Sequence, residues 1–207
     1  MKKLMMMAVM GLTVAACSRG NNGDIRNAVD PQVNETGLMS TWKAECRNLP
    51  LDLLKLSSQQ DEYRIENDIR HITTIYGTDN CTEATVKVEE VGSYGNFDSI
   101  EGGNHKIDIN WKTVKITPLS DAGRDLMNNV SFCGTDQWVT NEERDVTADT
   151  SNHELLDRCW TKTPRDQYDI VRIEGNKLQW GQSGISADRS TPEQRPTSID
   201  TSVTYTK

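Results

Sequence analysis

The sequence has no surplus of positive charge, no second long apolar run and no catalytic signature. Each absence removes a class of function. Lys and Arg number 23 against 31 Asp and Glu, a formal charge of −8. Sequence-independent nucleic-acid binding rests on Lys and Arg contacts to phosphate, so no nucleic-acid partner is expected. The same deficit gives no help at anionic lipid head-groups. Charge of this sign serves solubility. There is no CxxC, HxH or HExxH, so no tightly spaced metal-ligand set is present and neither metal nor cofactor is implied. There is no Gly-x-Ser-x-Gly and no Gly-rich phosphate loop. Gly181-Gln182-Ser183-Gly184 reads instead as a glycine-serine turn. His71, His105 and His153 are far apart in sequence. Alternation puts the first two on mainly apolar strand faces, where a histidine is an ordinary strand residue unless the two meet. Glu89-Glu90 cannot converge, because adjacent strand residues face opposite sides. With Glu142-Glu143 they read as solvated positions. No catalytic residue is assigned, and the chain reads as a non-enzyme.

What is present starts at the N-terminus. Lys2 and Lys3 precede an apolar run from Leu4 to Val14, and Val14-Ala15-Ala16 leads into Cys17. A basic head, a short apolar core and a small-residue cleavage site are the order of a signal peptide. About 11 apolar residues are too few to span a bilayer, which takes roughly 20. The cysteine at the cleavage point makes the segment resemble a lipobox. That resemblance implies a diacylglyceryl thioether on Cys17, cleavage of residues 1–16 and acylation of the new amino end. Each buried CH₂ contributes about 0.8 kcal/mol, and two or three chains hold firmly where one holds only reversibly. The membrane is thus an expected partner through lipid alone. Ser18 stands where aspartate favours inner-membrane retention in Gram-negative sorting. The resemblance therefore implies export to the periplasm and an outer-membrane anchor.

With residues 1–16 removed, 191 of 207 residues remain and two lysines are lost, giving a formal charge of −10. That length suits one domain. Residues 17–36 are polar and rich in Asn and Gly, the composition of a flexible tether. The domain is expected over 37–207. Of five cysteines, assigning Cys17 to lipid leaves Cys46, Cys81, Cys133 and Cys159. Four thiols in an exported chain read as two disulfides with three possible pairings. Sequential pairing, Cys46–Cys81 and Cys133–Cys159, is favoured because it needs no crossing. Each bridge would contribute about 3–4 kcal/mol by restricting the unfolded chain.

Within the domain the apolar period is mostly two. Trp42 and Ala44 open a strand; Leu51 to Leu56 fits a short helical turn or a strand. Tyr63 and Ile65 begin another strand, followed by Ile69 to Tyr76. Gly77-Thr78-Asp79-Asn80 is a turn cluster, and Ala84, Val86 and Val88 alternate after it. From His105 to Pro118, Ile107, Ile109 and Trp111 share one face, and then Val114 and Ile116 continue on even numbers. A one-residue slip would turn the apolar set outward, so a β-bulge or turn is expected near Lys112-Thr113. Ser120 caps one short helix over 122–128, with Asp121 at its positive end. Residues 134–152 form a long loop closed by the second disulfide. Strands resume at Tyr168 to Ile173 and Leu178 to Trp180 around the hairpin turn Glu174-Gly175-Asn176-Lys177. A second loop covers 183–196, and Ser202 to Lys207 is the last strand. Roughly eight short strands and one helix give a mainly β, antiparallel barrel or strongly curved sheet; closure removes exposed edges. A β-sandwich is the alternative.

Ser40-Thr41-Trp42 near the domain start, with Arg195-Pro196 and Tyr205-Thr206-Lys207 at its end, resembles small lipocalin-like bacterial lipoproteins. Ser40 stands where their glycine belongs. Tyr76, Cys81 and Gly92-Ser93-Tyr94 also resemble the extracellular repeat of the adenomatosis-polyposis-coli down-regulated Wnt inhibitors. The first likeness implies a calycin-like barrel, and the second a barrel-like β-fold associated with lipid binding. Five tryptophans beside two phenylalanines agree with either a packed core or a lined cavity. Trp42, Ile107, Ile109 and Trp111 are the candidates to line an interior that binds a small apolar or lipid-like ligand. An envelope structural or protein-interaction role, using 134–152 and 183–196, is the alternative. Trp138 and Trp160 are expected to pack on the Cys133–Cys159 bridge.

Overall fold

The computed structural model describes residues 35–49, 56–151, 159–184 and 188–207. The expected signal peptide, Cys17, the expected tether up to residue 34, the apolar stretch 51–55 and His153 lie outside the described residues. A one-turn helix, α1 (Glu35–Leu38), leads into β1 (Ser40–Ala44) and β2 (Arg47–Asn48). β3 (Ser58–Ile65) and β4 (Ile69–Tyr76) follow. β5 (Ala84–Ile100) and β6 (Asn104–Pro118) form a long hairpin. α2 (Asp121–Asn129) and β7 (Arg144–Asp145) precede β8 (Arg165–Glu174), β9 (Lys177–Trp180) and β10 (Tyr205–Thr206).

Every pairing is antiparallel, and the order β1-β10-β9-β8-β6-β5-β4-β3 closes because β1 also pairs β3. The result is an eight-strand barrel, not a sandwich. β2 extends the pairing along β3, and β7 is a short addition to β6. The chain segments around Trp42 and Lys207 become neighbours: Lys43 is opposite Thr206, and Ala44 is opposite Tyr205. Lys207 Nζ stands 4.8 Å from the centre of the Trp42 ring.

The phase slip in β6 is a bulge, as its pattern predicts. Val91 pairs Thr113 while Gly92 pairs Trp111, so Lys112 is the extra residue. The bulge keeps Val114 and Ile116 on the side of Ile107, Ile109 and Trp111. Gly92 permits the close approach there, since a Cβ would lie 2.5 Å from the Asn110 carbonyl oxygen. β5 runs on to Ile100, well beyond the alternation of Ala84 to Val88, through a second irregularity at Gly95–Asp98.

The two expected disulfides form. Cys46–Cys81 ties the β1–β2 junction to the β4–β5 connection, and Cys133–Cys159 closes the segment after α2. Ser120 caps α2 by accepting from the Gly123 amide at 3.1 Å. Met127, Trp138, Val146 and Cys133 pack with Val86, Val88, Val114 and Ile116 in one cluster. Cys159 and Trp160 lean on it, so both tryptophans do sit by their bridge.

Candidate functional site

Residues directly opposite one another on antiparallel strands share a face. Pairing registers therefore sort the barrel interior into levels. One level runs Ile65, Ile69, Gly92, Trp111. The next runs Trp42, Tyr63, His71, Glu90, Val114. A third runs Asp61, Thr73, Val88, Ile116. On β8 the inward positions opposite Trp111, Ile109 and Ile107 are Arg165, Gln167 and Asp169.

The four proposed lining residues are all core. Trp42 and Ile107 have no exposed surface, and Ile109 and Trp111 have 1% each. They pack with Leu38, Ile65, Ile69, Val171 and Leu178 into a single cluster that continues through Tyr63, Trp180 and Tyr205. Trp42 donates its indole N–H to the Leu38 carbonyl at 2.8 Å, and Trp111 donates to Gln167 Oε1 at 2.9 Å. Ile109 borders a cavity beside Tyr168 and Asp108.

Beside this apolar half lies a charged layer. His71 Nδ1 is 3.3 Å from Glu90 Oε2, and its Nε2 is 3.3 Å from Asp61 Oδ1. Asp61 also accepts from Thr73 Oγ1 at 2.7 Å, from Gln59 Nε2 at 3.1 Å and from Arg47 Nη2. Glu90 takes Arg165 Nη1 at 2.7 Å. Asp61 and Glu90 are 2% and 4% exposed, so they persist only through these partners. Burial disfavours charge on all three groups, yet the mutual contacts win. His71 is pushed up to about 9, with its hydrogen bonds to Asp61 and Glu90 overcoming burial. Burial likewise opposes Asp61 and Glu90, but His71 with Thr73 and Arg47, or with Arg165, holds each carboxyl below its ordinary value. The two strand histidines do not meet. His105 stacks on Phe97 and contacts Ser99, and burial lowers its pKa.

The charged layer reaches solvent through a cavity of about 250 Å³ at the barrel mouth. Its walls include Tyr63, Trp180 and Tyr205; the Tyr63 ring lies 4.6 Å from Trp180 and 5.2 Å from Tyr205. Burial pushes both phenols up, so they stay protonated and able to donate. Arg47 and Arg189 flank it, with Asp61, His71 and Asp200. Arg189 Nε is 3.2 Å from Asp169 Oδ2, and its Nη2 donates to the Gly181 carbonyl. Asp169, fully buried, also accepts from the Ile170 amide at 2.8 Å, the Gly181 amide at 3.2 Å and Gln167 Nε2 at 3.0 Å. Burial raises its pKa against the pull of Arg189. Trp180 Nε1 is a buried donor with no hydrogen-bond partner.

The sequence carried a signal for this site. Asp61, His71 and Glu90 are in phase with Tyr63, Ile69 and Val88, so alternation points them inward. Reading Glu89-Glu90 as a solvated pair holds for Glu89, which faces Arg70 and Lys87; Glu90 is interior. A larger groove, about 920 Å³, runs along α2 past Ala84, Ala122, Leu126 and Val130. No family model matches the chain, and no curated protein matches it.

Proposed function

We propose that this chain is an exported lipoprotein, anchored through lipid on Cys17, whose barrel is a non-enzymatic binding module of lipocalin-like kind. Its small ligand sits at the barrel mouth. The observation that carries this reading is the mouth cavity, lined by Tyr63, Trp180 and Tyr205 and flanked by Arg47 and Arg189, with the Trp180 indole N–H buried and without a partner. A buried polar group left unpaired costs about 1–3 kcal/mol, which a ligand acceptor would recover. The two disulfides support an oxidising, exported setting. The neighbouring β1 and β10 support the likeness drawn from Trp42 and Tyr205-Thr206-Lys207. The apolar half offers less to a lipid-like ligand, since Trp42, Ile107 and Trp111 are packed against other side chains.

Native mass spectrometry of the full chain, extracted from the producing envelope in mild detergent, tests both parts. The wild type should retain a small molecule that Trp180→Phe releases. Its denatured mass should equal the chain cut before Cys17 plus diacylglyceryl and acyl groups, and Cys17→Ala should stay uncut. A chain that flies without a small molecule in every preparation would count against binding. An unmodified Cys17 would count against the anchor. The groove along α2 favours a second reading, a protein-interaction lipoprotein; in that case the added mass would be a partner polypeptide.

A further inference from the structure

We propose that the mouth cavity is a site for a small ring-bearing carboxylic acid. The inference rests on the binding function proposed above and names the class of its ligand. It follows from a census of donors and acceptors. The carboxylates of the wall are Asp61 and Asp200: both oxygens of Asp61 have the partners given above, and Asp200 Oδ1 accepts from the Ser202 amide at 2.8 Å and hydroxyl at 2.6 Å. The spare donors lie on the indole and the two guanidinium groups. Trp180 Nε1 is buried and unpartnered. Arg47 spends only Nη2, on Asp61, among the described residues. Arg189 spends Nη2 on the Gly181 carbonyl and keeps Nη1, while its Nε pairs with Asp169 at 3.2 Å by charge alone. Arginine carries five N–H donors and no acceptor, so each guanidinium has hydrogens left for a ligand.

A ligand that satisfies such a wall brings acceptors, and beside two guanidinium groups it does best with a negative charge. Charge-assisted hydrogen bonds are roughly twice as strong as neutral ones, and a carboxylate matches the guanidinium fork. The remaining wall is aromatic. Tyr63, Trp180 and Tyr205 present ring faces and edges, which favour a flat ring over a hydrated inorganic anion. The volume, about 250 Å³, lies below the roughly 300 Å³ where pockets for drug-sized ligands begin, and suits a single ring better than a long chain.

Benzoate is the probe. The full chain, labelled with ¹⁵N at tryptophan and extracted in mild detergent, would be titrated while indole resonances are followed. The Trp180 N–H should move saturably with benzoate, while the Trp42 N–H, already given to Leu38, stays fixed and certifies the fold. Benzamide, with the same ring and no charge, should bind about tenfold more weakly. Inorganic phosphate should leave Trp180 in place. Arg47→Gln should weaken benzoate about tenfold, and Arg47→Lys should recover part of that loss. Equal shifts with benzoate and benzamide would overturn the proposal, as would a Trp180 resonance unmoved by about 10 mM benzoate. If Trp180 ignores benzoate yet shifts when the molecule retained in the native spectrum is added back, the ligand class is wrong and the binding function stands. If the chain retains nothing and Trp180 ignores every probe, both fail.

Discussion

Replacing His71 with glutamine is expected to cost about 3 kcal/mol at neutral pH, near the lower end of the 3–5 kcal/mol for breaking a buried ion pair. The figure sits at that end because each carboxylate keeps one cation: Arg47 for Asp61 and Arg165 for Glu90. Among the described residues, what is lost is the one side chain that pairs with both. Two carboxylates in a barrel interior then meet with one positive partner fewer, and neither can turn outward without carrying its strand. The cost should depend on pH in a set way. The folded pKa of His71, about 9, lies above its ordinary value of 6.5. Its stabilising contribution is therefore complete below about pH 6.5 and lost as pH rises through about 9. Asp61 and Glu90 are shifted the other way. Their contribution is complete above the ordinary carboxylate range and lost as pH falls below it. The gap between wild type and His71→Gln should be widest between about pH 5 and 7 and should narrow on both sides. Urea unfolding from pH 4 to pH 10 measures this. A gap that does not change with pH would mean that His71 acts by packing on Tyr63, its stacking partner at 4.4 Å, and not by charge.

Trp42→Ala is expected to destabilise the barrel by about 3–5 kcal/mol, the range for a fully buried tryptophan. Trp42 has no exposed surface, closes the β1 side of the apolar cluster and gives its indole hydrogen to Leu38. Truncation removes apolar contacts on every side and leaves the Leu38 carbonyl without that donor. Lys207 also loses the ring it lies over, worth about 0.5–1 kcal/mol at an exposed site. The prediction separates two views of the apolar half. A tryptophan lining a hollow chamber has fewer partners to lose, and its truncation would cost less than about 2 kcal/mol. Guanidinium unfolding of both variants, with the disulfides intact, gives the number.

The fold was legible because its signals are local. Alternation in Trp42–Ala44, Ile69–Ile75 and Ile107–Trp111 states which side faces in. The slip between Trp111 and Val114 states that a bulge must intervene, and Lys112 is that residue. Ser120 with Asp121 states where the helix starts. The disulfide pairing followed from the absence of crossing once Cys17 was set aside. β5 beyond Val88 was not legible: Gly92, Gly95 and Asn96 weaken the alternation, and only pairing with β6 holds the strand extended to Ile100. The site was half legible. Asp61, His71 and Glu90 announce themselves as charged residues in an inward phase. Their convergence does not, because it depends on which strands adjoin and in what register. Trp180 and Arg189 come together only through the return of 188–196 across β8, where Tyr168 N–H donates to the Arg189 carbonyl at 2.9 Å. Nothing in either residue's own neighbourhood encodes that meeting.

The central claim is that the interior is divided, with the Trp42–Trp111 half packed and the ligand space at the charged mouth. A crystal structure of the full chain, isolated from the cell that makes it, tests this most directly. The account predicts ordered density for a small molecule between Arg47, Trp180 and Tyr205, with an acceptor on Trp180 Nε1 and no density among Trp42, Ile107 and Trp111. Density inside the apolar half, or a mouth closed by Trp180 and Tyr205 packed together with the indole hydrogen bonded to protein, would contradict it.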